Sequence, residues 1–331
     1  MHKVIISKTV ITSFYTTDHY KKVMNILIEL PTWVGDAVMI TPSLENIRKK
    51  YPNANFSFIG PKSSIELFTD FPRRKELIQI RKNNLEIIRK LLKIYKYEIF
   101  ISYRSSLRTR VLKYFLSVKL KYQFNKNIYK YGHQVEKYNA FTNKVLGSNY
   151  PANHLKLYIK ENTHNKIERS IGISPGAAYG SAKRWTLEGF KKVAFELSKD
   201  YQIFLLGSKN EIDICNYIEN SFKENNSINI LNMAGKTNIF ELAKLISTLD
   251  LFITGDSGPM HIAAAFQVPT ISIFGPTQDK NTSQWKNHKS KIIKRHFECQ
   301  PCMKRTCPLG HHLCMKEITP EEVIIEARKL I

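Results

Sequence analysis

At 331 residues, with 43% hydrophobic and 11% aromatic side chains, the chain is long enough for two domains of ordinary size, each with its own core. No apolar run approaches the length needed to span a bilayer, which excludes a transmembrane helix from this reading. The net charge of +23 is uneven: residues 1–165 carry 29 Lys and Arg against 11 Asp and Glu, while residues 166–331 carry 22 against 17.

In chain order, the first 23 residues stand apart. Val4-Ile5-Ile6 and Val10-Ile11 are interrupted by Ser7, Lys8 and Thr9, and no small-residue cleavage pattern follows, so a signal peptide is not expected. The stretch reads as a disordered or loosely packed extension, with the fold beginning near Met24. Met24–Leu30 is then a buried strand, followed by a Gly35-Asp36 turn into an amphipathic helix expected over Asp36–Lys50, with Val38, Leu44 and Ile47 on one face. Asn55–Ile59 is a second strand ended by Gly60-Pro61, and Leu77–Ile80 is a candidate third. Leu85, Ile88, Leu92 and Tyr95 form a helical stripe, and Glu98–Ser102 is a strand; between Lys119 and Lys160 the pattern weakens and no element is placed. The second half is more regular. Strands are expected at Ser170–Ser174, Gln202–Leu206, Ile228–Leu231, Leu251–Thr254 and Thr270–Phe274, with helices between them. Thr186 caps one of those helices, and Thr319-Pro320-Glu321-Glu322 opens a last helix that runs to the end of the chain. Strand–helix alternation in both halves predicts two parallel-sheet α/β domains with a hinge near residues 155–170.

The chemistry-bearing residues fall in the loops after these strands. Neither a GxGxxG fingerprint nor a Walker A sequence follows the first strand, so dinucleotide redox chemistry and P-loop hydrolysis lose their usual support. Asp36 stands at a helix start, where a carboxylate serves either as a cap or as a general base facing a cleft. Lys183 lies in the small-residue loop from Pro175 to Arg184, either solvated or paired with a diphosphate. Gly258 and Pro259 open a helix whose start suits an anion, Asp256 precedes it as cap or hydroxyl acceptor, and His261 sits on its first turn. Cys215 is alone in a predicted helix. Cys299, Cys302, Cys307 and Cys314 are interleaved with His296, His311 and His312 in spacings that match no regular zinc finger, leaving a structural metal or a loop of free thiols.

Three segments together carry a resemblance: Met24-Asn25-Ile26-Leu27 through Trp33-Val34-Gly35-Asp36; Ser174-Pro175-Gly176-Ala177 with Lys183-Arg184-Trp185; and Thr254-Gly255-Asp256-Ser257-Gly258-Pro259-Met260-His261. With the segment Cys299 to His312, they resemble the family 9 glycosyltransferases, the bacterial heptosyltransferases of lipopolysaccharide core assembly, over nearly the whole chain from Met24. Within that family the heptosyltransferase II subgroup is the most similar. The resemblance implies a GT-B fold, an α/β architecture of two Rossmann-like doubly wound domains facing a cleft. The acceptor domain would be residues 24–165, the ADP-sugar donor domain 166–318, and the helix of 319–331 would pack back on the N-terminal domain.

The same resemblance implies an inverting transfer from ADP-heptose, with no metal and no cofactor beyond the donor, onto the heptosyl-Kdo-lipid A inner core. Asp36 would be the base and Lys183 the diphosphate ligand. Asp256 would bind the donor sugar, while Gly176, Ser257, Gly258 and His261 would belong to the nucleotide-phosphate site, and Glu211 would hold the ribose. The more basic N-terminal half would meet the acidic acceptor, with Arg73, Arg74, Arg104, Arg108 and Arg110 as candidate contacts. It would also hold a cytoplasmic enzyme peripherally on the anionic inner-membrane surface. Rival readings are heptosyltransferase I or III, a GT-B-like sugar-nucleotide epimerase or hydrolase, and a nucleic-acid-binding protein. The last is suggested only by charge, and no nucleic-acid partner is expected.

Overall fold

The computed structural model describes residues 23–80, 96–160, 166–222 and 229–331. The predicted extension (apart from Val23), the stripe from Leu85 to Tyr95 and the centre of the predicted hinge lie outside the described residues.

Strands β1 (Asn25–Glu29), β2 (Asn55–Gly60), β3 (Arg74–Gln79), β4 (Ile99–Ser102) and β5 (Leu120–Gln123) form one sheet in the order β3-β2-β1-β4-β5. Strands β6 (Ser170–Ser174), β7 (Gln202–Leu205), β8 (Ile230–Asn232), β9 (Leu251–Gly255), β10 (Thr270–Phe274) and β11 (Ser290–Lys294) form the other, in the order β11-β10-β9-β6-β7-β8. All neighbours in both sheets pair in parallel. Parallel strands covered on both faces need unbroken apolar runs, which Ile26-Leu27-Ile28 and Leu251-Phe252-Ile253 supply; all six are fully buried. In each sheet the strand order reverses beside its first strand, between β1 and β4 and between β6 and β9. A doubly wound sheet opens its ligand crevice at the carboxyl edge of such a reversal.

The helix expected over Asp36–Lys50 is two helices, Val34–Met39 and Thr41–Lys50. Pro42 causes the break, because it has no N–H to give the Val38 carbonyl and its ring crowds that carbonyl. The Thr41 hydroxyl donates to Val38 O instead, at 2.7 Å. Between Lys119 and Lys160, where no element is placed from sequence, β5 and the helix Gln134–Leu146 form; the helix Leu107–Phe115 and strand β11 are likewise unanticipated. The helix Gln134–Leu146 starts with a capping box of His133 and Glu136 and ends at Gly147 in the left-handed region (φ 60°).

The last helix, Pro320–Leu330, starts as expected, with Thr319 accepting from Glu322 N. Its packing corrects the expectation that it returns to the N-terminal domain. Val323, Ile324 and Ala327 join the core of the C-terminal domain, against the helix Leu187–Ser198 and strands β10 and β11. Ion pairs from Lys192 to Glu321, Arg295 to Glu322 and Lys291 to Glu326 fix it there. An apolar face at i, i+1 and i+4 is satisfied by the nearest complementary surface, which belongs to its own domain.

The two lobes do not hold fully separate cores. The helix Val34–Met39 lies against the helix Gly258–Ala265, and Ile239–Ser247 against Glu66–Phe68. One apolar cluster therefore runs from Ile28 and Val38 through Ile262, Ala263 and Phe252.

Candidate active site

The loop after β1 delivers Asp36 to the interlobe boundary. The N-cap position of its helix is Trp33, which makes no side-chain capping bond, so Asp36 sits inside the first turn rather than capping it. Its carboxylate Oδ1 accepts from the Tyr138 hydroxyl at 2.9 Å, a bond that reaches across from the helix Gln134–Leu146. Burial raises the Asp36 pKa above the ordinary aspartate value; the Tyr138 bond and the Lys183 charge oppose this, and Asp256 adds to it. Asp36 of the N-terminal lobe thus shares one electrostatic field with Lys183 and Asp256 of the C-terminal lobe. A desolvated carboxylate whose pKa is raised is a stronger base than a solvated one.

Lys183 closes a short 3₁₀ turn, Ser181–Lys183, in the loop after β6. Its ammonium pairs with Asp256 Oδ2 at 2.5 Å and stands 4.7 Å from the Tyr179 ring centroid. Asp256 Oδ2 also accepts from Thr277 Oγ1 at 2.6 Å, from the loop after β10. Asp256 is therefore not the helix cap. Ser257 occupies that position, yet it makes no side-chain capping bond, and its hydroxyl meets Thr254 Oγ1 at 2.9 Å. The first N–H groups of the helix Gly258–Ala265 thus lack a side-chain cap, which is the arrangement a phosphate completes.

His261 is buried with no hydrogen-bond partner at Nδ1, and its ring lies where a Cβ on Gly35 would stand, 2.8 Å from Cδ2. Desolvation, the largest cause, pushes its pKa down to about 4. The ring is neutral at neutral pH, so it contributes packing and a ring nitrogen to the helix start rather than a positive charge.

Glu211 closes a capping box on Ser208, accepting from its N–H at 2.7 Å and its hydroxyl at 2.8 Å through Oε2. Its other oxygen lies over Gly176, where a Cβ would stand 2.0 Å from Oε1. The loops after β6 and β7 meet at this contact, at the carboxyl edge of the second sheet.

The cysteine segment braces the lysine loop. Ala182 N donates to Arg305 O at 3.0 Å, and His312 Nε2 meets Ala182 O at 2.9 Å. The Tyr179 hydroxyl donates to Met303 O at 2.8 Å. All four cysteines of this segment are free thiols lining one small cavity with His311 and His312. Among the described residues, no group of three or more His, Cys, Asp and Glu side chains is set to hold a metal ion.

The candidate acceptor arginines divide between two edges of the first sheet. Arg73 and Arg74 lie at its amino edge, where Arg73 donates to the carbonyls of Asn53 and Ala54 and Arg74 to that of Thr69. Those arginines fasten turns at the edge opposite Asp36, which corrects their expected role. Arg104 lies at the carboxyl edge, 3.9 Å from Glu29. Glu29 is fully buried between β1 and β4, accepts from Ser102 Oγ at 2.7 Å, and has its pKa raised by burial. Sequence reasoning missed Glu29, which reads as one more residue of an apolar strand, and it missed Tyr138 and Thr277. Only Tyr138 had a usable signal, the spacing of Val135, Tyr138 and Phe141.

The glycosyltransferase family 9 (heptosyltransferase) model matches residues 89–313. A lipooligosaccharide heptosyltransferase 2 from Campylobacter jejuni is 40% identical over 314 residues, covering 93% of this chain and 99% of that protein. Among solved structures, the Escherichia coli ADP-heptose lipopolysaccharide heptosyltransferase II superposes with a TM-score of 0.78 at 23% identity, over 93% of this chain and 98% of that one. The E. coli heptosyltransferase WaaC with ADP gives 0.73 at 16% identity, over 93% and 100%. The architecture of two facing parallel-sheet domains is shared with both.

Proposed function

The chain belongs to glycosyltransferase family 9, the heptosyltransferases, and we propose that it moves L-glycero-D-manno-heptose from ADP-heptose onto the heptosyl-Kdo-lipid A inner core, adding the second heptose. The observation that carries the chemistry is the meeting of Asp36 with the Lys183–Asp256 pair at the interlobe boundary, beside a helix start without a side-chain cap. The Campylobacter jejuni relative, by its name and its near-complete coverage, supports the choice of sugar and acceptor.

In this mechanism the acceptor hydroxyl gives its proton to Asp36 while its oxygen bonds to the anomeric carbon. The bond from that carbon to the β-phosphate oxygen breaks on the opposite face, inverting the centre, and ADP leaves with the electron pair. Lys183 and the N–H groups at the start of the helix Gly258–Ala265 stabilise the charge that grows on the diphosphate. Asp256 orients Lys183 and turns its remaining oxygen to the donor sugar. Gly176 and Glu211 form the wall for the ribose, and Ser257 and His261 complete the phosphate end. The reaction is metal-independent, since Lys183 and the helix dipole supply the positive field.

The basic N-terminal half faces the acidic acceptor and supports peripheral contact with the cytoplasmic face of an anionic membrane; no helix among the described residues is long and apolar enough to cross one. An acceptor series tests the assignment. Heptosyl-Kdo2-lipid A should be consumed, whereas preference for Kdo2-lipid A without heptose would move the chain to heptosyltransferase I. Hydrolysis of ADP-heptose without transfer would replace the transferase reading.

A further inference from the structure

The helix Leu107–Phe115 follows β4 and starts at the carboxyl edge of the first sheet, the edge that carries Asp36. Its inward face is Thr109 and Leu112, both buried. Its outward face is also apolar: Leu107, Val111, Tyr114 and Phe115 fall at i, i+4, i+7 and i+8, and are 72%, 44%, 80% and 62% exposed. Positions so spaced share one stripe of a helix. Ile128 and Tyr131, in the loop after β5, are 61% and 90% exposed. An ordinary surface helix shows water a polar face, and this one does not.

The charge along this stretch of the chain has one sign. From Ile99 to Val135 the chain holds Arg104, Arg108, Arg110, Lys113, Lys119, Lys121, Lys126 and Lys130, and no Asp or Glu. Arg108 and Arg110 flank the stripe on its two sides. An exposed apolar face bordered by Arg and Lys, with an aromatic at its margin, is the pattern of a helix lying in a lipid headgroup layer. Resting on the peripheral contact proposed above, we infer that the helix Leu107–Phe115, with the Ile128–Tyr131 loop, docks the N-terminal lobe on the surface of an anionic phospholipid bilayer. Docked this way, the carboxyl edge of the first sheet meets a lipid-linked acceptor whose sugars rise from that same surface.

The test is flotation of the full chain with vesicles of phosphatidylcholine alone and of phosphatidylcholine with phosphatidylglycerol in equal parts. The wild type should float with the mixed vesicles and stay behind with the neutral ones, and added salt should release it. Lys119→Gln and Lys121→Gln should each weaken binding roughly fivefold. The Leu107→Ser, Val111→Ser, Tyr114→Ser triple variant should lose at least tenfold, with an unchanged thermal midpoint because all three side chains face water. Equal flotation of wild type and variants would overturn the inference. So would light scattering that shows a dimer which the triple variant dissociates, because the stripe would then be covered by a second copy. Transfer to detergent-dispersed acceptor, measured in parallel, separates the two proposals. Variants that stop floating but still transfer support both, whereas a wild type that floats without transferring overturns only the proposed reaction.

Discussion

Gly35 and Gly258 meet backbone to backbone where the two lobes touch. A Cβ built on Gly258 would stand 3.3 Å from Gly35 N and 3.0 Å from Val34 Cβ, and one on Gly35 would stand 3.6 Å from the Gly258 Cα. Each glycine lies in the first turn of a helix at the site: Asp36 follows Gly35 within its helix, and Asp256 precedes the helix that Gly258 opens. Their missing side chains set how closely the base approaches the diphosphate site.

Gly35→Ala should therefore act on geometry more than on folding. Its Cβ would fall 2.8 Å from His261 Cδ2, and relief requires the helices to part. The expected cost is about 1–3 kcal/mol of stability, as for other overpacked sites. Loss of kcat should exceed tenfold, since small misplacements of a base are costly. Thermal melts and steady-state rates check both; an unchanged kcat would mean that the contact is not needed during turnover.

Asp36→Asn should lower kcat by about 10²–10⁴, the usual contribution of a positioned base, while leaving ADP-heptose affinity within a few-fold. It should also stabilise the protein at neutral pH. The Asp36 pKa is raised in the folded state, so the folded form binds the proton more tightly and the buried carboxylate is a cost once ionised. Melting temperature against pH for the two proteins checks the sign.

Tyr138→Phe removes the hydroxyl that donates to the Asp36 carboxylate and holds its pKa down. The acid limb of the kcat/KM profile should move to higher pH, with less loss at alkaline pH than at neutral. A uniform loss at every pH would point to misfolding or misplacement instead.

Lys183→Met should weaken ADP-heptose binding by roughly 10–100-fold and destabilise the fold by about 3 kcal/mol, because Asp256 would be left buried without its partner. Adding Asp256→Leu should recover most of the stability and none of the binding. Calorimetric titration and denaturant melts distinguish the two effects.

His261 gives the protein a pH-dependent margin. Its folded pKa of about 4 lies below the ordinary value of 6.5, so the unfolded chain takes up the proton first. The stability contributed is present above pH 6.5 and is lost as pH falls toward 4, amounting to roughly 3 kcal/mol. His261→Gln should flatten the melting-temperature profile over that window relative to the wild type.

Most of the fold was legible because parallel strands buried on both faces announce themselves as unbroken apolar runs, as in Leu251-Phe252-Ile253. Caps such as Thr186 and Thr319 marked helix starts for the same local reason. The helix Gln134–Leu146 escaped because His133, an unusual cap, opens it. The break at Ile40 was written in Pro42 but masked by a continuous apolar face. For the site, the loop residues Asp36, Lys183 and Asp256 were visible by type and position. Their partners Tyr138 and Thr277 were not, and neither was the buried Glu29 beside Ser102 and Arg104, because each is defined by a contact distant in sequence. The packing of the last helix was missed for a similar reason: an amphipathic pattern states that a face will be buried, not against which lobe.

Heptose transfer with Asp36 as base is tested by mass spectrometry of heptosyl-Kdo2-lipid A after incubation with ADP-heptose and EDTA, for the wild type and Asp36→Asn side by side. The wild type should give one added heptose and the variant almost none, with both proteins binding donor alike. Unmodified acceptor from a wild type that still binds ADP-heptose would contradict the proposed acceptor, and equal product from both proteins would remove Asp36 as the base.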